Sequence, residues 1–285
     1  MKYYPFGKFV LSTPDDHKIR SIHQSDCFYD RLYGPLLEVT VRPNPRGTII
    51  DIGANIGDTC AFFRTHVGNP ILAVEGSGDL LVYLRENVPA IGPDITIIDK
   101  FIKPTRLVSN SMNYRLGPGS GRLLPADSGA GVPVADDRYV TIDALIAQAA
   151  RNPDGIALFK TDTDGIDGFI MADVLGRVDC PLFFECDLIN TFSNAATPWP
   201  DVLERLDAMN YAIIVFDNHG IPMLSAASGG GALLRDLSGY IHTQHCVGNV
   251  YIHYVDVWAY PPSAAALFAE AQAMMRAKLL KPYAF

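Results

Sequence analysis

This chain of 285 residues predicts an α/β fold: a Rossmann-like, doubly wound sheet of about seven mostly parallel strands, with an N-terminal cap and a C-terminal helix. Three observations carry that expectation. Residues 48–52 are a β-favouring run (Thr48, Ile49, Ile50, Asp51, Ile52) that breaks into a turn holding Gly53 and Gly57, the pattern of a buried strand leaving its sheet for a helix. A second apolar run at 70–74 ends in Glu75, about twenty residues after the glycine turn, which is the spacing at which a βαβ unit presents a carboxylate to a ribose diol. Beyond these, strand-like runs alternate with helical ones to the end of the chain.

In order, residues 1–46 are polar and punctuated by proline, with a helix expected over 25–37 and a turn at Pro43, Asn44, Pro45, Arg46 and Gly47. They read as a cap segment. Residues 57–67 form the helix after the first strand, and 79–87 a second one with Leu80, Leu81 and Leu84 at helical spacing. A third strand is expected over 94–98, leaving through Asp99 and Lys100, which read as adenine neighbours or as solvated loop charges. Residues 104–137 hold four prolines and five glycines, too long for a passive connection. They read either as a lid or substrate insertion, in which Asn110, Ser111, Asn113, Tyr114 and Arg115 hydrogen-bond a hydroxylated substrate, or as a surface excursion.

Thr141 caps a short helix to Ala150, and a fourth strand over 155–161 delivers Asp162 and Asp164 to the sheet edge that carries Asp51 and Glu75. A fifth strand over 181–186 adds Glu185 and Asp187. A helix over 201–209, a strand over 211–216 and an antiparallel terminal strand over 250–260 complete the sheet. Residues 263–280 carry Leu267, Phe268, Ala271, Met274, Met275 and Leu279 on one face, a stripe that is core or a homodimer surface.

Composition narrows the function. Hydrophobic residues make up 48% and charged residues 19%, an ordinary globular balance, and a net charge of −8 without clustered Lys or Arg excludes a general nucleic-acid surface. Five cysteines, odd in number and without C-x-x-C, fit neither a disulfide framework nor a thiolate zinc site; a reducing cytoplasm suits them. No signal-peptide core and no apolar run of membrane-spanning length is present.

The glycine turn has G-x-x-x-G spacing and no Lys beside Ser or Thr, so it offers pyrophosphate no grip. Asp51 and Asp58 instead suit a ligand with a positive centre and hydroxyl or amine donors. S-adenosylmethionine, with its sulfonium, amino group and ribose, has all of these. The alternative is that the glycines serve the strand-to-helix turn alone.

The motif Asp51-Ile-Gly-Ala-Asn-Ile-Gly-Asp58, then Val74-Glu75, Asn87, Lys160-Thr-Asp162-Thr-Asp164-Gly165 and Phe183-Phe184-Glu185, resembles in order and spacing the FkbM family of S-adenosylmethionine-dependent methyltransferases. The resemblance covers about residues 33–260. It implies a class I methyltransferase domain over 47–260 between the cap and a C-terminal helix at 261–285. It also implies cofactor contacts at Asp51, Gly53, Asn55, Gly57, Asp58, Glu75, Asn87, Asp164 and Tyr33, although an aromatic at Tyr33 reads equally as packing. The family's second block usually reads Lys-Ile-Asp-Val-Glu-Gly, so Asp164 stands here for a Glu and has a shorter reach.

The chemistry expected is transfer of a methyl to a hydroxyl, which needs aligned reactants and a base. Asp162 is the first candidate, its pKa raised from ~3.9 by crowding against Asp164, Glu185 and Asp187. Glu185 belongs to the same catalytic set. Residues Gln244-His245 and Gly248 to Tyr251, followed by Tyr254 to Ala259, resemble the tail of FkbM-like proteins associated with bacterial surface glycans, which points to a sugar acceptor and makes His245 the alternative base. Other readings stay open: Mg²⁺ on the four carboxylates, a metal-dependent glycosyltransferase using Asp162-x-Asp164, or a methyltransferase-like protein that binds without catalysis.

Overall fold

The computed structural model describes residues 2–17, 19, 32–105, 112–117, 120–125, 131–187 and 198–279. Strands β1 (Lys2–Phe6) and β2 (Phe9–Thr13) form an antiparallel hairpin. Helix α1 (Tyr33–Val41) leads to β3 (Thr48–Ile52), in which every residue is buried. Then come α2 (Asp58–His66), β4 (Ile71–Glu75), α3 (Gly78–Ile91), β5 (Ile95–Asp99) and the short β6 (Phe101–Ile102). An excursion follows, made of β7 (Met112–Gly117), β8 (Ser120–Pro125) and β9 (Val132–Pro133). The chain returns through β10 (Tyr139–Val140), paired parallel with β6, and continues as α4 (Ile142–Ala149), β11 (Ile156–Thr161), α5 (Asp167–Val174) and β12 (Leu182–Cys186). It ends with α6 (Trp199–Ala208), β13 (Ala212–Asp217), β14 (Pro222–Ala226), α7 (Gly230–Cys246), β15 (Val255–Tyr260) and α8 (Ala265–Leu279).

The main sheet has eight strands in the order β14-β13-β15-β12-β11-β3-β4-β5. Strands β5, β4, β3, β11 and β12 run parallel, whereas β15 is antiparallel to both β12 and β13 and β14 is antiparallel to β13. The order reverses between β3 and β11, since the chain steps outward through β4 and β5 and then crosses to the other side. Ligands of open α/β sheets bind at such a switch, outside the carboxyl ends of the strands.

Each face of the sheet has its own core, because successive strand residues point to opposite sides. Ile50 and Ile52 of β3 pack with Leu145, Ile170, Val202 and Leu234 under α4 to α7. Ile49 packs with Leu37, Phe63, Leu84 and Phe268 under α1, α2, α3 and α8. Phe268, Ala271 and Met275 of the α8 stripe are therefore core. Among the described residues no helix is long and apolar enough to cross a membrane.

Several expectations change. The helix expected over 25–37 starts at Tyr33, and 25–31 lie outside the described residues. The polar N-terminus forms a hairpin despite Pro5, which an edge strand tolerates because that amide need not join a ladder. The excursion carries a three-stranded sheet of its own. Helix α7 is an addition to the expected elements and begins at a run of three glycines, Gly229 to Gly231. Gly231 sits where α7 crosses α6, and a Cβ there would lie 1.9 Å from the Leu203 carbonyl oxygen. Strand β15 starts at Val255, not 250, because Val250 and Tyr251 are exposed ahead of it.

Candidate active site

The carboxyl ends of β3 and β11 meet at the switch. Gly53 leaves β3 with φ +78°, and a Cβ on it would lie 1.8 Å from the Asp162 carbonyl oxygen, so only glycine lets the two strand ends approach. Its amide and that of Ala54 both donate to the Val74 carbonyl, at 3.0 and 3.1 Å, which ties the turn to β4. Asp51 and Lys160 face each other in the β3–β11 register, and Lys160 Nζ lies 2.9 Å from Asp51 Oδ1 with both side chains buried. The contact is a close ion pair whose angle falls short of a hydrogen bond. Lys160 Nζ also lies 3.7 Å from Asp162 Oδ2 and 3.4 Å from the Gly53 carbonyl oxygen. Burial works to strip the Lys160 proton, but Asp51 and Asp162 outweigh it and hold the ammonium charged.

Glu75 ends β4 beside this turn. Its Oε2 accepts from the Asn55 amide at 3.0 Å and its Oε1 from the Ser77 amide at 2.7 Å. Burial nevertheless wins over these bonds and pushes the carboxyl up to about 7. Behind the turn, His17 accepts from the Ile19 amide through Nδ1 and so donates through Nε2 to Asn55 Oδ1, 3.2 Å away. Asn87 accepts from the Ser12 amide at 2.7 Å and donates to the Ser12 and Ile56 carbonyls at 2.9 and 2.8 Å, pinning hairpin and turn to α3.

Over these strand ends opens a cleft, about 520 Å³ with the open solvent at its mouth counted in. Gly53, Asn55 and Glu75 at the ends of β3 and β4 are taken as its floor, and it is lined besides by the apolar Leu80, Phe101 and Ile102 and by Asp162, Thr163 and Asp164 after β11. Tyr114 of β7 closes it from the excursion. Asp99 is not part of it: that carboxylate is held by Arg85 and by Arg138, whose Nη2 lies 2.6 Å away. Lys100 lines the cavity and donates to the Asp137 carbonyl.

Beyond Asp162 lies a second group of acids. Thr161 and Phe184 are register partners, so Asp162 and Glu185 leave neighbouring strand ends side by side. Burial first, then Asp162, Asp167, Asp164 and Asp256, drive the Glu185 carboxyl well above the ordinary carboxylate range. Asp167, at the start of α5, shapes the turn between Asp162 and Gly165: it accepts from the Thr161 hydroxyl at 2.7 Å and from the Thr163 hydroxyl at 2.9 Å. Burial raises it to about 6. Asp256 pairs with Glu185 across β12 and β15 and accepts from the Tyr33 hydroxyl at 2.7 Å. Burial, then Asp256 and Glu185, push the Tyr254 phenol up.

The structure thus gathers Gly53, Asn55, Glu75, Asp162 and Asp164 on one cavity, with Glu185 adjoining. It places others behind the wall. Asp51 is a buried partner of Lys160. Asn87 has its amide committed to backbone, and Tyr33 packs edge-on against Phe183 and Phe216 below Asp256. Gly57 is the left-handed residue before α2, and Asp58 Oδ1 is buried with no hydrogen-bond partner among the described residues, its carboxyl raised by burial. His245 donates from Nε2 to the Ile252 carbonyl at 2.7 Å and lies off the cavity. Burial also raises the carboxyls of Glu75, Asp167 and Glu185, and Asp162 adds to the rise at Asp167 and Glu185. Asn110 and Ser111 lie outside the described residues, and no three His, Cys, Asp or Glu side chains among the described residues cluster as a metal site. Sequence reasoning named Lys160 in its motif without a role and missed Asp167 and His17; the long polar side chain of Lys160 within an apolar strand is the signal of a buried pair.

No protein-family model and no curated protein matches the chain. Solved structures do. One is a precorrin-6y C5,15-methyltransferase from Geobacter metallireducens GS-15, at 12% identity and TM-score 0.38 over 90% of this chain and 100% of that one. Another is an O-methyltransferase from Bacillus cereus in complex with SAH, at 12% identity and TM-score 0.40 over 87% and 92%. A third is a SAM-dependent methyltransferase from Geobacter sulfurreducens in complex with S-adenosyl-L-homocysteine, at 13% identity and TM-score 0.34 over 88% and 99%.

Proposed function

We propose that the protein is an S-adenosylmethionine-dependent O-methyltransferase of FkbM type, acting on a hydroxyl of a sugar or glycan. The observation that carries this reading is Glu75 on the floor of the same cavity as the Gly53 turn, at the point where strand order reverses. The residues present fit the cofactor. Glu75 is the acceptor for the two ribose hydroxyls, Gly53 lets the ligand approach backbone, and Asp162 and Asp164 form an acidic wall for its cationic end. Three carboxylates against one lysine suit phosphate poorly. When bound, S-adenosylmethionine supplies a methyl group on a sulfonium.

The remaining work falls to the chain's own side chains. Glu185, desolvated beside Asp162 with its carboxyl raised well above the ordinary carboxylate range, is the general base for an acceptor hydroxyl; Asp162 faces the Lys160 ammonium at 3.7 Å, the pairing of a positioning group. That same ammonium already offsets the charge of Asp162, one of the two carboxylates a metal would need in Asp162-x-Asp164, which disfavours the glycosyltransferase reading. Exposed Tyr240 and Tyr251 offer ring faces to a sugar near the tail of the sheet.

Calorimetry with S-adenosylhomocysteine, followed by mass spectrometry with labelled cofactor and a panel of glycans, tests the proposal. One added methyl on a glycan hydroxyl supports it. Binding of a nucleotide-sugar instead would overturn it, and cofactor binding without turnover on any acceptor would leave a binding protein.

A further inference from the structure

Tyr114 stands apart from the other residues that line the cavity because it arrives from the excursion, whose three strands form a sheet of their own. Its strand β7 pairs with β8 and β9, with Tyr114 opposite Val132. Its ring centroid lies 5.2 Å from that of Phe101, so the two aromatics make one corner of the cavity wall. Its hydroxyl is buried and has no hydrogen-bond partner among the described residues. Ser77 is close enough to affect the phenol but outside hydrogen-bond geometry, and burial first of all, with Glu75, Asp79 and Asp164 nearby, raises it to about 12. A donor buried without an acceptor is a cost that folding alone does not explain. The groups around it are the ones that would hold the ribose.

We propose that Tyr114 is a ligand-binding residue, which donates its hydroxyl hydrogen bond to the ribose held by Glu75 and sets its ring with Phe101 against the purine. The assignment rests on the cofactor reading of the cavity and adds to it a contact from outside the nucleotide-binding core. The excursion thereby takes part in cofactor recognition. An orphan hydroxyl makes a distinctive demand: removing it relieves the empty protein and harms the complex.

The test is the full-length chain with Tyr114→Phe and Tyr114→Ala, each measured by calorimetry with S-adenosylhomocysteine and adenosine and by thermal melting without ligand. Tyr114→Phe should melt at or above the parent temperature when empty, yet bind both ligands about 5- to 10-fold more weakly. Tyr114→Ala should weaken both by about 50-fold or more through loss of the ring wall. With 2′,3′-dideoxyadenosine the Tyr114→Phe penalty should vanish, because its partner is gone. Equal affinities of the parent and Tyr114→Phe for S-adenosylhomocysteine would overturn the inference. Failure of the parent to bind S-adenosylhomocysteine would instead sink the cofactor reading itself, so the two failures are distinguishable.

Discussion

Glu75 is the residue on which stability and function should pull in opposite directions. Its carboxyl titrates at about 7 where 4.5 is ordinary, and each pH unit of that difference corresponds to about 1.36 kcal/mol. Ionising it in the empty cavity above neutrality therefore costs roughly 3 kcal/mol, a difference of about 2.5 units multiplied through. Glu75→Gln removes that cost. It also turns an amide group towards either the Asn55 or the Ser77 N–H, both of which now find a carboxylate oxygen, and losing one acceptor costs about 1–2 kcal/mol. The net expectation at pH 8 is a gain of about 1–2 kcal/mol.

The sign follows from proton counting. Between the unfolded value near 4.5 and the folded value near 7 the native state holds a proton that the unfolded state has released, so this carboxyl lowers stability as pH rises through that window. At pH 5 the parent side chain is already protonated and Glu75→Gln should be the less stable protein by about 1–2 kcal/mol. Thermal melting at pH 5 and pH 8 should thus show the variant below the parent at the first and above it at the second, by roughly 2–6 °C. Calorimetry on the same samples should show S-adenosylhomocysteine bound about 10- to 150-fold more weakly, since a charge-assisted pair of hydrogen bonds is gone. The same melting difference at both pH values would refute the raised carboxyl. Unchanged affinity would refute its ribose role.

Three further outcomes follow from the same geometry. Lys160→Met should destabilise by about 3–5 kcal/mol because Asp51 is left buried and charged, while Asp51→Leu combined with Lys160→Met should recover most of the loss; additive effects in urea unfolding would refute the pairing. Asn87→Ala should cost about 2–3 kcal/mol, since the Ser12 and Ile56 groups it serves lose their partner, and should weaken cofactor binding only through the looser turn; a large affinity loss with no change in melting would make Asn87 a direct contact. Glu185→Gln should lower turnover ~10²–10⁴-fold and abolish the acidic limb of the pH–rate profile, whereas His245→Ala should keep that limb; the reverse pattern would make the histidine the base.

The parts legible in the sequence are those whose chemistry is local. The turn at Gly53 and the acid at Glu75 announce themselves through glycine geometry and strand ends, and the structure puts both on the cavity. Asp51, expected at the cofactor, lies off the cavity because a strand end presents two faces. Position 51 shares its parity with Ile49, which packs under α1 to α3, so its side chain points into that core and not at the crevice. Asn87 falls on the face of Leu80, Leu81 and Leu84, and Tyr33 lies three and four residues before Leu36 and Leu37, so both stripes mark these polar groups as interior. Lys160 opposite Asp51, Tyr33 below Asp256 and Tyr114 over Glu75 join segments far apart in the chain, and no local pattern encodes such pairings.

These pairings explain how so many acids share one sheet edge. Among the described residues, Asp51 and Asp162 lie within 4 Å of a buried cation, Lys160, which serves both. Glu75, Asp167 and Glu185 have none at comparable range; burial raises Glu75 to about 7 and Asp167 to about 6, and burial with the neighbouring acids raises Glu185 well above the ordinary carboxylate range. The empty edge therefore limits its negative charge by holding protons. A cationic, hydroxyl-bearing ligand changes that balance, since it favours the ionised form of each carboxyl it meets and displaces the proton. Such a ligand should accordingly add most to stability above pH 7, where the unliganded chain bears the full cost of its ionised acids.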